Sequence, residues 1–214
     1  VSIGNLGSCL AGNLVSLNQS ANSLSLARNG LTDFGAKLVL DALVKNDSKI
    51  ESLSLAHNRV QIMDIYHAAP LLEGVKKMYT LTALDLSSNN MRDEGLWEIA
   101  SFLASDPHLK ILELRSNAFA KRSVLANIID NISWNKHLMM IDLRENPELL
   151  NDCILSTDSY AEISKQFQKN LPGIKCLPFD HDPQDPEDRE ELYTNDGMHR
   201  EYHRKVEKIH HLLE

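Results

Sequence analysis

Apolar residues recur along this chain in one fixed spacing, Leu-x-x-Leu-x-Leu-x-x-Asn-x-apolar, and the spacing returns five times in phase. The copies run through Leu24, Leu26, Asn29 and Leu31; Ile50, Leu53, Leu55, Asn58 and Val60; Leu81, Leu84, Leu86, Asn89 and Met91; Leu109, Leu112, Leu114, Asn117 and Phe119; and Leu138, Ile141, Leu143 and Asn146. The intervals between asparagines are 29, 31, 28 and 29 residues. A period of that length is the mark of a stacked repeat. Alternation around the inner leucines predicts a short strand in each unit. The i, i+3, i+4 spacing that follows predicts a helix, with the stripes Leu31, Gly35, Leu38, Val39, Ala42, Leu43 and Met91, Gly95, Ile99, Phe102, Leu103 turned toward the strand.

Two places break the pattern. Pro70 falls where the second helix should continue, so residues 61 to 69 are expected to form a separate turn or short helix before a fresh start at Pro70. After Pro147 the regular repeat stops, and Leu171-Pro-Gly-Ile174-Lys-Cys176 reads as a closing strand. Counting back one period from Asn29 reaches the start of the chain, where Leu6, Leu10, Leu14 and Leu17 read as the helical half of a repeat. The sequence leaves open a fragment of a longer array or a dedicated capping helix.

The quoted units, with the run Leu31-Thr-Asp-Phe-Gly-Ala-x-Leu, resemble the leucine-rich repeat family, ribonuclease-inhibitor-like subclass, over about residues 5 to 179. The resemblance implies an α/β solenoid, a curved horseshoe with a parallel sheet on the concave face and helices on the convex face. It also implies that the repeated asparagines bond turn backbone from coil to coil. For function it is broad, because the subclass spans inhibitors, immune receptors, actin regulators and GTPase activators.

Charge then divides the chain. Residues 1–179 carry 19 acidic and 17 basic residues, whereas residues 180–214 carry 11 and 5. The expected domains are a repeat domain over 1–179, an acidic, proline-containing linker over 180–197 and an amphipathic helix over 198–214. In that C-terminal helical tail Tyr202, Val206, Ile209 and Leu213 make an apolar stripe, a candidate second contact. His199, His203 and Glu207 share a helix face, but a solvated polar face explains them and no metal site is assigned.

No phosphate loop, nucleophile elbow, paired-cysteine zinc pattern or dinucleotide fingerprint occurs in the sequence, so the expectation is a non-enzymatic module without cofactor. The acidic balance argues against nucleic acid, no apolar run is long enough for membrane insertion, and the odd, unclustered Cys9, Cys153 and Cys176 point to a cytoplasmic, intracellular protein. Binding is assigned to the concave face, at Ser25, Ser54, His57, Asp85, Ile111, Glu113, Met140, Asp142 and Glu145. Asp85, Glu113 and Asp142 would form a like-charged column facing a protein partner with a basic surface, unless Arg115 and Arg144 neutralise it. Trp97 is the better exposed anchor of the two tryptophans, Trp134 being the other. Two alternatives stay open. One is a GTPase activator of the nuclear-transport type, acting through Arg28 or Arg59; the other is a tropomodulin-like actin-regulating domain.

Overall fold

Each repeat contributes one strand of three residues whose middle side chain is apolar, and the strands add to a sheet in chain order. The computed structural model describes residues 20–63, 68–106 and 108–121, together with 4, 5, 7, 123, 124, 127, 128, 131, 135, 137–143, 145, 146 and the backbone of 175 and 176. All of them belong to the unit Val1–Phe179. The elements are β1 (Ser23–Ser25), α1 (Asp33–Lys45), β2 (Ser52–Ser54), α2 (Ala68–Lys77), β3 (Ala83–Asp85), α3 (Asp93–Leu103), β4 (Ile111–Glu113), β5 (Met140–Asp142) and β6 (Lys175–Cys176). The sheet has six strands in the order β1-β2-β3-β4-β5-β6, and every pairing is parallel.

Register follows the repeat. Leu24, Leu53, Leu84, Leu112 and Ile141 are Cα partners across the first five strands. With side chains alternating along a strand, these five point to one side and their neighbours to the other. They meet the helices there, in a single core that includes Val39, Leu40 and Leu43 of α1, Leu71 and Val75 of α2, and Leu96, Ile99 and Leu103 of α3. The core continues through Phe119, Val124 and Ile128. In α1 the buried stripe is Gly35, Ala36, Val39, Leu40, Ala42 and Leu43. Leu38, expected in the stripe, is half-buried, and Leu40 takes the deeper place. A helix apolar on more than one row can rotate by a fraction of a turn, and packing against α2 chooses between the rows.

Pro70 lies in the first turn of α2, two residues inside its start at Ala68. A proline there lacks an N–H that the helix would leave unpaired in any case. Residues 64–67 of the preceding segment lie outside the described residues. So does the terminal segment with Tyr202, Val206, Ile209 and Leu213, and with His199, His203 and Glu207.

The repeated asparagines hold the turns to one another. Asn58 accepts from the backbone N–H of Asn29 and Leu31 at 2.9 and 3.0 Å. Its Nδ2 donates to the carbonyl of Leu26 in the previous repeat and to Leu55 in its own, both at 2.9 Å. Asn117 repeats the arrangement on Asn89 and Met91, at 3.0 Å each, and Asn146 accepts from Asn117 at 3.0 Å. Buried backbone groups at each turn thus find partners one repeat away.

A second ladder runs along the helix starts, and the sequence reading missed it. Asp33 Oδ1 accepts from the N–H of Gln61 and Ile62 at 2.8 and 2.9 Å. Asp93 Oδ1 accepts from Ala120 and Lys121 at 2.9 and 3.0 Å. Asn5 Oδ1 plays the same part for Thr32 at 3.0 Å. The signal was an acid four residues after the asparagine, in Asn29…Asp33 and Asn89…Asp93, which reads at first as ordinary dipole complementarity at a helix N-terminus. Two residues further on, Gly95 is tight against this ladder: a Cβ there would come within 2.2 Å of the Gln61 carbonyl oxygen.

Candidate functional site

The side of the sheet away from the helices is paved by two rows of side chains. One row is Ser23, Ser52, Ala83, Ile111 and Met140; the other is Ser25, Ser54, Asp85, Glu113 and Asp142, each residue the Cα partner of the next. Parallel strands lie about 4.8 Å apart, so each row is a continuous column across five repeats. A third row follows at the turns, in the residues just before each asparagine: Arg28, His57, Ser88, Ser116 and Glu145. All five have left-handed backbone, with φ of 62, 53, 56, 50 and 59°. The turn demands this conformation in every repeat, whatever side chain occupies it.

Accessibility changes along the columns. Ser23, Ser25, Arg28, His57 and Arg59 are exposed, and Ser54 is half-buried. Asp85, Ile111, Glu113 and Met140 are buried, and Asp142 is only 1% exposed. The acidic and apolar positions expected to form an open binding patch are therefore closed to solvent. Interior strands have a neighbour on each side, whereas β1 has a described neighbour on one side. Glu145, at the turn, is exposed.

The carboxylates have partners. Ser54 Oγ donates to Asp85 Oδ2 at 2.7 Å, and the Ser87 N–H donates to Asp85 Oδ1 at 2.9 Å. Arg115 places Nε 3.8 Å from Asp142 Oδ2 and a terminal nitrogen 2.5 Å from Glu145 Oε1. Ser116 Oγ also donates to Glu145. Arg115 thus reaches forward into the next repeat and does not simply cover Glu113, two residues before it. The guanidinium hydrogen-bonds Glu145 and lies within ion-pair distance of Asp142, so it joins β5 to β4 through side chains as well as backbone. Arg144 and Trp134 lie outside the described residues.

On the helical side Trp97 is 47% exposed, with Phe34 and Met63 also open. Tyr79 stands 74% exposed, edge-on to the His108 ring at 5.3 Å between centroids. Among the described residues no group of histidine, cysteine, aspartate or glutamate could hold a metal ion. No helix of the described residues is long and apolar enough to cross a membrane.

A family model described as Leucine Rich repeat matches residues 79–100. Podocan-like protein 1 of Mus musculus is 30% identical over 166 residues, covering 65% of this chain and 26% of that protein. The ribonuclease inhibitor of Mus musculus is 30% identical over 129 residues, covering 60% of this chain and 27% of the inhibitor. Among solved structures, one titled Leiomodin-1 Actin-Binding Site 2 (ABS2) aligns with a TM-score of 0.51 at 16% identity, covering 77% of this chain and 95% of that one. At that identity the likeness shows a shared fold alone. The chain spans just over a quarter of the length of the two curated relatives. Repeat period, strand register and relatives agree: the chain is a leucine-rich repeat protein, similar at low identity to the ribonuclease-inhibitor type.

Proposed function

We propose that this chain is a non-enzymatic protein-interaction module that engages a partner through the open face of its sheet. The observation that carries the reading is the exposed end of that face, where Ser23, Ser25, Arg28 and His57 stand in adjacent repeats on a hydrogen-bonded sheet. Side chains fixed on such elements lose little further freedom on binding. Of the residues assigned from the sequence, Ser25, Ser54, His57 and Glu145 make the contact. Asp85, Ile111, Glu113, Met140 and Asp142 support the face from beneath its surface. Repeats of similar length stacked in this register extend as a curved solenoid, with this face concave. Tyr202, Val206, Ile209 and Leu213 of the tail provide a second contact in the same proposal.

A photo-crosslinking residue placed at Ser25, at Ser54 and, as control, at Glu98 on the exposed side of α3 tests the assignment in cell extract. Protein adducts from Ser25 and Ser54 but not from Glu98 are expected. Adducts from Glu98 alone would overturn the assignment. Loss of all adducts on truncation after Phe179 would move the site to the tail.

Arg28 and Arg59 are both exposed, so the GTPase-activator alternative has available side chains. It requires faster hydrolysis by a small GTPase that disappears when either arginine is changed. The actin-regulating alternative requires altered filament elongation.

A further inference from the structure

At the β1–β2 end, the exposed charge of the described residues has the opposite sign to the column read from the sequence, whereas the far end keeps an exposed acid at Glu145. With Asp85, Glu113 and Asp142 buried, the exposed charged groups among the described residues of the turns after β1 and β2 are Arg28 and Arg59, with His57 in the second turn. Neither arginine forms an ion pair among the described residues, in contrast to Arg115. Their backbones are fixed. The Arg28 N–H donates to Ala56 O at 3.1 Å, and the Arg59 N–H donates to Leu31 O at 2.7 Å. Arg28 and His57 occupy one repeat position, about one strand spacing apart.

The turn does not need these side chains. Its left-handed backbone, at φ of 62° for Arg28 and 53° for His57, suits glycine or asparagine better than arginine. Next to them the face is floored by exposed Ser23 and Ser25, with Ser54 half-buried and its hydroxyl donated to Asp85. Small hydroxyl side chains let another backbone approach closely and offer it both donors and acceptors. Two acids of these repeats are engaged elsewhere: Asp85 by Ser54 and Ser87, and Asp33 by the turn of the next repeat.

Resting on the interaction-module reading, we propose that the partner presents an extended acidic polypeptide segment to this end of the face. Its carboxylates lie on the Arg28 and Arg59 guanidiniums beside His57, and its backbone lies along the serines. Arginine suits carboxylates because its fork donates two parallel hydrogen bonds. Two arginines on a chain of net charge -8 do not make a nucleic-acid surface, which needs many phosphate contacts. A short acidic segment needs only a local cationic site.

The test is fluorescence anisotropy of a labelled oligo-glutamate peptide with the full chain at low and at high salt. Binding at low salt that weakens about tenfold or more in Arg28→Glu/Arg59→Glu is expected, since each replaced charge changes attraction to repulsion. Lys45→Glu/Lys77→Glu, reversing exposed lysines at the far ends of α1 and α2, keeps the parent affinity. Unchanged melting by circular dichroism establishes that the variants fold. No binding of oligo-glutamate, or equal binding by the Arg28/Arg59 variant, overturns the inference. If that happens while Ser25 still crosslinks to a partner, the face reading stands and the acidic partner falls. If oligo-glutamate binds at the arginines and Ser25 yields no adduct, the face reading falls by itself.

Discussion

β1 and β2 present serines, exposed at Ser23 and Ser25 and half-buried at Ser54, whereas β3, β4 and β5 carry Ala83, Asp85, Ile111, Glu113, Met140 and Asp142, all buried. The backbone register is the same throughout. Position within a repeat therefore fixes the direction in which a side chain points, but its accessibility depends on what stands beside it. The early repeats offer a polar surface with exposed arginine. The later ones use the same positions for partnered carboxylates and apolar packing.

The largest expected effect separates these two regions directly. Asp142→Lys should destabilise the fold by about 4 kcal/mol, because it replaces a buried carboxylate facing Arg115 with a buried like charge. Ser25→Lys, one row position alike but exposed, should change stability by less than about 0.5 kcal/mol. Urea denaturation of the two variants compares them. Equal costs would mean that burial does not distinguish the regions. Charge reversal along Asp85, Glu113 and Asp142 is for the same reason a test of folding before it is a test of binding.

Next in size is Asn89→Ala. Asn89 is fully buried and its side chain bonds Val60 N, Leu55 O and Leu86 O, so its loss should cost about 3 kcal/mol by leaving backbone groups of two repeats unpaired. Asn29, half-buried at the β1 end, should cost less in the same measurement.

Glycines sharpen the contrast further. Gly95→Ala should cost about 2 kcal/mol, since the new methyl meets a backbone carbonyl that cannot swing aside. Gly35→Ala meets mainly the side chain of Asn5, which can move only by giving up its bonds to Thr32, and should cost less than a clash with backbone. A larger loss at Gly35 in thermal unfolding would show that the first helix start is the more rigid.

The smallest effect tests the turn row. Arg28→Gly relieves a left-handed residue and should leave stability within about 0.5 kcal/mol, because the gain in the turn is offset by a freer unfolded chain. The same variant should weaken oligo-glutamate binding, measured by anisotropy.

Much of this was legible in the sequence. The five quoted units name the strand partners correctly, from Ser25 through Asp142, because a repeat that must bury its leucines leaves one register available. The ladder of asparagines was legible through the family resemblance. The aspartate ladder was not, since Asp33 and Asp93 serve backbone groups 28 and 27 residues away in Gln61 and Ala120. Arg115 was placed near the right charges, but its reach to Asp142 and Glu145 depends on a turn that the sequence does not describe in space.

Sequence alone determined the period, the strand in each unit, the helices of the first three units and the side to which each strand residue turns, because these follow from local spacing and the need to bury leucine. Only the tertiary structure decided which of those outward residues meet solvent, which acids are already paired, and that the open charge at the β1–β2 end is positive. Accessibility and pairing are set by neighbours a full repeat away, and no local pattern carries them.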